Sequence, residues 1–252
     1  RLGAGVSVIG DDPDGININA AIGSTHPERL SAEVVDRGAD LGLAFDGDAD
    51  RLIAVDASGR VVDGDHILAI LATDWQGRGQ LADDTVVVTV MSNLGFRLAM
   101  EAAGISVVST AVGDRYVLEA LDGNGWSLGG EQSGHVICRS LATTGDGVLA
   151  AVQLLDALVR HDRPLGEWAD AVMTTFPQVL QNVRLVERPP DLIDRLRPAV
   201  AAAEASMGDD GRVLVRPSGT EPLIRVMVEH RDAATAERVC HDLVTETRRL
   251  AG

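Results

Sequence analysis

Aromatic side chains are scarce in this chain, with three Trp, three Phe and one Tyr among 252 residues. The hydrophobic cores must therefore rest on Val, Leu, Ile and Ala. Cysteine is scarcer still: Cys138 and Cys240 lie far apart, a spacing that suggests neither a metal cluster nor a disulfide framework. Buried reduced thiols and a cytoplasmic location are the expectation. No apolar run approaches the roughly 20 residues needed to span a bilayer, so no membrane partner is expected. Positive charge is in deficit, 22 basic against 38 acidic residues for a formal net charge of −16. Nucleic-acid binders need clustered cations to displace phosphate counterions, and that class is excluded. An anionic small molecule can still bind where local cations and backbone N–H groups overcome the global field. No secretory signal opens the chain, which starts at Arg1 without an initiator methionine, and a processed or truncated product is expected.

What is present reads as two textures. Residues 27–37 predict a short helix starting at Pro27, followed by strands at 41–45, 52–55 and 61–62. From about residue 64, helices and strands alternate, and the unbroken Thr85–Val90 run has the composition of a strand covered on both faces. The spacing predicts helices over 66–75, 94–103, 116–121 and 146–160, the last with Val148, Ala151, Val152, Leu155 and Leu158 on one face. Strands fall at 105–110, 126–129 and 136–138, which implies a mostly parallel sheet. Beyond Pro177 the chain predicts strands at 179–186, 212–215 and 223–229. A final helix follows Asp232 and carries a stripe of Ala236, Val239, Cys240, Leu243 and Val244. The fold class is α/β: mixed-sheet α/β domains over 1–62 and 63–177, then a small α+β domain over 178–252.

Three loops carry chemistry. In Asp46-Gly47-Asp48-Ala49-Asp50-Arg51, three carboxylates at alternate positions share one face if the backbone is extended. Such concentrated charge repels itself unless a cation neutralises it, and hard oxygen ligands suit Mg²⁺. A calcium EF-hand is excluded, because its sixth and twelfth positions would hold Arg51 and Ala57. Arg216-Pro217-Ser218-Gly219-Thr220-Glu221-Pro222 gathers a guanidinium, two hydroxyls and a glycine in one turn, the chemistry of a phosphate cradle, with Arg225 a second cation. In Gly130-Glu131-Gln132-Ser133-Gly134-His135, Glu131 and Ser133 would share a face suited to sugar hydroxyls, and His135 could exchange protons near neutrality. Gly145-x-Gly147-x-x-Ala150 matches a loose dinucleotide pattern, but Leu141 to Thr144 separate it from the preceding strand. Ser24, Thr25 and His26 read as helix capping, not as a nucleophile loop.

These loops resemble those of the α-D-phosphohexomutases. Asp46–Arg51 is similar to that family's metal-binding loop, Gly130–His135 to its sugar-binding loop and Arg216–Pro222 to its phosphate-binding loop, in family order along essentially the whole chain. The strings 112–117 and 219–227 look most like the branch that acts on phosphorylated glucosamine. The resemblance implies interconversion of glucosamine 6-phosphate and glucosamine 1-phosphate through a bisphosphate. In it Mg²⁺ sits on Asp46, Asp48 and Asp50, and Arg51 and His135 are catalytic. Arg216, Ser218, Gly219, Thr220 and Arg225 hold phosphate, while Glu131 and Ser133 hold sugar. The family's phosphoserine string, Thr/Ala-Ser-His-Asn-Pro, does not occur, and Ala111 stands where some relatives carry lysine. The chain is therefore expected to be inactive alone. A phosphomannomutase or phosphoglucomutase, a non-catalytic phosphosugar-binding module, and a homodimer of a longer protein stay open as alternatives.

Overall fold

The computed structural model describes residues 3–185, 189–218 and 221–251. Two compact units divide the chain, one of Arg1–Ser92 with Phe96–Thr174, the other of Asn93–Gly95 with Thr175–Gly252.

The first unit opens with helix α1 (Glu28–Arg37), stopped by Gly38 at φ 60°, whose N–H reaches back to Val34 and Val35. A left-handed residue there satisfies carbonyls the helix leaves open, and glycine adopts it without a Cβ clash. Pro27 is the cap residue and makes no side-chain cap bond. The capping expected of Ser24 to His26 is thus not formed. Ser24 instead donates its backbone N–H to the Phe45 carbonyl at 2.9 Å.

Strands β1 (Leu41–Phe45), β2 (Leu52–Asp56) and β3 (Val61–Val62) form an antiparallel sheet, with Phe45 opposite Leu52. Helix α2 (Gly64–Gly77) is capped by Asp63, whose carboxylate accepts from the His66 N–H at 3.2 Å. Next come β4 (Thr85–Thr89), α3 (Leu94–Ala102), β5 (Ser106–Thr110), α4 (Asp114–Asn124), β6 (Leu128–Gly130) and β7 (Val136–Cys138). Their sheet runs β5-β4-β6-β7; β4 is parallel to β5 and β6, and β7 turns back antiparallel. Every residue of β4 is buried, as the β-branched run predicts. The four-stranded sheet is mixed, as expected of the class, and among the described residues parallel pairing is confined to β4 and its two neighbours.

Helix α5 (Gly147–His161) starts at Asp146, which accepts from the Leu149 N–H at 2.8 Å. Its buried face is Ala150, Ala151, Leu154, Ala157 and Leu158. Of the predicted stripe, Ala151 and Leu158 are buried, whereas Val148 and Val152 are 51% and 42% exposed. Helix α6 (Leu165–Val172) follows Pro164 and buries Leu165, Trp168 and Ala169. The sequence reading assigned no helix there.

In the second unit β10 (Leu223–His230) lies between β8 (Gln178–Arg184) and β9 (Gly211–Pro217), antiparallel to both. Val186, the predicted end of β8, lies outside the described residues. Helix α8 (Ala233–Ala251) buries all five predicted stripe residues. Helix α7 (Leu192–Met207) was not predicted; it begins just past Pro189 and Pro190 and accommodates Pro198 within its length. Its buried Leu192, Leu196 and Met207 join a core with Val226, Val228, Ala236 and Leu243.

Candidate functional site: two hairpin tips joined by a histidine

The first unit brings two predicted loops together. The β1–β2 connection, residues 46–51, is a turn and not extended chain. Ala49 has φ 59° and donates its N–H to the Asp46 carbonyl at 3.1 Å. The expectation that alternation would align the carboxylates therefore fails in mechanism. Turn geometry aligns them instead: one carboxylate oxygen each of Asp46, Asp48 and Asp50 lies within 4.8 Å of the others. Asp46 Oδ1 also accepts from the Arg51 N–H at 3.1 Å, and Arg51 Nε stands 3.7 Å from Asp46 Oδ2.

Burial, with hydrogen bonding to and repulsion from Asp46, pushes the Asp50 carboxyl above the usual carboxylate range. Like charges in one place disfavour ionisation, and a divalent cation reverses that preference. Asp50 Oδ1 is buried and accepts no hydrogen bond among the described residues. An orphaned carboxylate oxygen within a three-carboxylate donor set fits a hard divalent cation such as Mg²⁺.

The β6–β7 tip, residues 131–135, closes with Glu131 N–H to the His135 carbonyl at 2.9 Å and Gly134 N–H to the Glu131 carbonyl at 3.0 Å. Leu52 N–H donates to the Gly134 carbonyl at 2.9 Å, and Arg51 bridges His135 in antiparallel fashion. The two tips are thereby stitched into one short ladder. A Cβ on Gly134, at φ 94°, would stand 2.2 Å from the Leu52 carbonyl, so that position requires glycine.

Glu131 and Ser133 do meet, Ser133 Oγ donating to Glu131 Oε2 at 3.3 Å. The other Glu131 oxygen accepts from Gly113 N–H at 3.1 Å, which ties this loop to the start of α4. His135 is 3% exposed. Its Nδ1 lies 2.9 Å from Asp50 Oδ2, and Nε2 faces Gly145 without a hydrogen-bond partner. The ring thus has a carboxylate neighbour at Nδ1, and both nitrogens are enclosed by protein.

Sequence reasoning missed several residues that support the loops. Gly64 donates its N–H to the Gln132 carbonyl at 3.1 Å, and a Cβ there would stand 2.2 Å from the Glu131 carbonyl. Gly147 N–H donates to the Ala49 carbonyl at 2.9 Å, and its Cβ would stand 2.5 Å from the Arg51 carbonyl. Gly145 lies so close to His135 that a Cβ would be 2.3 Å from Nε2. The glycines set aside as a loose nucleotide pattern are therefore close-approach positions beside the acidic turn. Gly145-x-Gly147, directly before a helix, was the signal, and its spacing alone did not say what approached.

The predicted phosphate loop lies in the second unit, between β9 and β10. Arg216 and Arg225 are opposite each other across the strands. Burial, reinforced by Arg225, lowers the Arg216 guanidinium below its ordinary value. Arg225 Nε is buried without a hydrogen-bond partner. Ser218 is buried; its N–H donates to the Leu223 carbonyl at 2.9 Å, and its Oγ accepts from Glu221 N–H at 3.3 Å. Two adjacent guanidiniums repel each other unless an anion lies between them. Gly219 and Thr220 lie outside the described residues.

Comparison with known proteins agrees with this architecture. The sequence profile of phosphoglucomutase/phosphomannomutase α/β/α domain III matches residues 63–176, and that of the family's C-terminal domain matches residues 180–246. A phosphoglucosamine mutase of Leifsonia xyli subsp. xyli is 60% identical over 99% of this chain, which covers 55% of that protein. The chain thus spans about half the length of the curated relatives it matches. Among solved structures, a phosphoglucomutase/phosphomannomutase family protein of Burkholderia thailandensis aligns with a TM-score of 0.75 at 24% identity, covering 90% of this chain and 50% of that one. An Aspergillus fumigatus N-acetylphosphoglucosamine mutase, in complex with GlcNAc-6P and magnesium, aligns with a TM-score of 0.70 at 19% identity, covering 92% and 53%.

Proposed function

The chain belongs to the phosphoglucomutase/phosphomannomutase family, and from that membership we propose that it is the C-terminal part of a phosphoglucosamine mutase, interconverting glucosamine 6-phosphate and glucosamine 1-phosphate through a bisphosphate. The observation that carries the reading is the convergence of Asp46, Asp48 and Asp50 on one point, directly joined to the loop of Glu131 and Ser133. Relatives at 55–60% identity that carry the phosphoglucosamine mutase name support the choice of sugar.

Asp46, Asp48 and Asp50 would hold Mg²⁺, which when bound neutralises charge on the transferred phosphoryl group. Arg51, 41% exposed at its side chain, contributes a further cation beside the turn. Glu131 and Ser133 orient the sugar by exchanging their mutual hydrogen bond for bonds to its hydroxyls. Arg216, Ser218 and Arg225, with Gly219 and Thr220, grip the phosphate that does not react. Phosphoryl transfer is governed chiefly by such positioning and electrostatics. We divide the labour as residues 1–62 for metal, 63–177 for sugar and 178–252 for phosphate. Two buried unpaired thiols accord with a cytoplasmic setting. None of the 252 residues lies in a serine loop of the family's kind, so the chain on its own binds without turning over.

The test is calorimetric titration of the chain with glucosamine 6-phosphate in the presence of Mg²⁺. Binding should weaken at least tenfold in Arg216→Ala. It should be tighter for glucosamine 6-phosphate than for mannose 6-phosphate. Equal binding of the two sugars, or an Arg216→Ala variant that binds as the parent does, refutes the assignment. Incubation with radiolabelled glucose 1,6-bisphosphate should leave no stable phosphoprotein.

A further inference from the structure

We propose that His135 is a positioning residue for the metal: its Nδ1–H fixes the Asp50 carboxylate so that Oδ1 is presented to the cation. The inference rests on the metal reading of the aspartate triplet and deepens it. Metal binding requires Asp50 to be ionised, and an ionised carboxylate only accepts hydrogen bonds, so in that state Nδ1, 2.9 Å away, is the donor to Asp50 Oδ2. With Oδ2 engaged, the buried oxygen left without a donor is Oδ1. A carboxylate that binds a metal through one oxygen commonly has the other held by a donor outside the coordination sphere.

The ring cannot relax away from this task. Its backbone pairs with Arg51 next to Asp50, and its carbonyl accepts from Glu131 N–H. Behind it, Gly145 comes so close that any Cβ would strike the ring at 2.3 Å. Gly147 N–H holds the same turn from the start of α5 through the Ala49 carbonyl. One side chain from the β6–β7 tip therefore sets a ligand on the β1–β2 tip. The sugar loop and the acidic turn are coupled through it.

Mn²⁺ binding to the chain, followed by electron paramagnetic resonance of the free ion, tests this without requiring turnover. His135→Phe keeps the ring volume and removes the donor; its Mn²⁺ affinity should fall about 10- to 100-fold, the usual cost of losing such a partner. His135→Asn places an amide N–H near the position of Nδ1 and should stay within about threefold of the parent. Gly145→Ala, which keeps the histidine but displaces its ring, should weaken binding about tenfold, an independent check if the Phe variant does not fold. Parent-like affinity in a folded His135→Phe or in Gly145→Ala overturns the proposal. So does an Asn variant as weak as the Phe variant, since packing alone would then explain the loss. If the parent chain binds no Mn²⁺ at millimolar concentration, the metal reading itself falls, an outcome distinct from the others.

Discussion

At the scale of the residue, the half-buried Asp50 and the buried Asp74 differ by their partners. Asp50 has other carboxylates for neighbours and sits above the usual range. Asp74 has the opposite company: Arg78 and Arg160 at 2.6 Å and His161 at 3.0 Å. Burial alone would raise the Asp74 carboxyl, but hydrogen bonds from His161, Arg78 and Arg160 hold it below the usual range. A folded value below the unfolded one, about 3.9, stabilises the fold above that pH. The contribution disappears as pH falls through the lower folded value. Asp74→Asn should therefore cost about 2–3 kcal/mol at pH 7, less than for a fully enclosed pair because both arginines are partly exposed. The deficit should shrink toward acid, so urea denaturation at pH 7 and pH 3 checks both size and sign.

At the scale of the element, α5 separates side-chain size from packing. Its apolar residues outnumber the places on its buried face, and the alanines take most of those places. Leu154 is fully buried, whereas Val148 and Val152 face outward. Leu154→Ala should cost roughly 2–5 kcal/mol through lost burial and a cavity. Val152→Ala should stay within about 0.5 kcal/mol, as outward substitutions do. Equal costs in chemical denaturation would mean that α5 is rotated from the described orientation. The same helix start supplies Gly147 to the acidic turn, so its placement is set by the site as well as by the core.

At the scale of the whole molecule, the proposed function asks an acidic chain to bind an anion. All 22 basic side chains are arginine, whose charge persists at any physiological pH. Arg216 remains cationic even with its ordinary value lowered by burial. The two units hold different parts of the proposed chemistry, and ligands should be felt separately. Hydrogen exchange with Mn²⁺ should slow amides at 46–52 and 133–136 in the first unit. Inorganic phosphate should slow amides at 215–218 and 221–224 in the second. At a ligand concentration of about 100 times Kd, the linkage contributes about 2.7 kcal/mol, roughly a hundredfold in exchange from the bound state. Protection by Mn²⁺ confined to the second unit would contradict the assignment of the acidic turn.

Most elements were legible from periodicity and punctuation: the fully buried β4, the α8 stripe and the Asp232 cap, which accepts from the Thr235 N–H, depend on neighbours close in sequence. The positions of the connections between β1 and β2, β6 and β7, and β9 and β10 were legible as well, because glycine and polar residues at short spacing interrupt the apolar runs. Helix α7 was hidden by prolines that proved compatible with it, whereas α5 itself was legible and only part of its buried face, Ala150, Leu154 and Ala157, was not. By itself the sequence determined which groups are available and which local structures hold them, since both are short-range properties. Only the tertiary structure decided that His135 would face Asp50 across 85 residues, and that Gly64, Gly145 and Gly147 would have no room for a side chain. Those facts arise from hairpin tips meeting in space, and close packing between distant segments leaves no periodic trace in the chain.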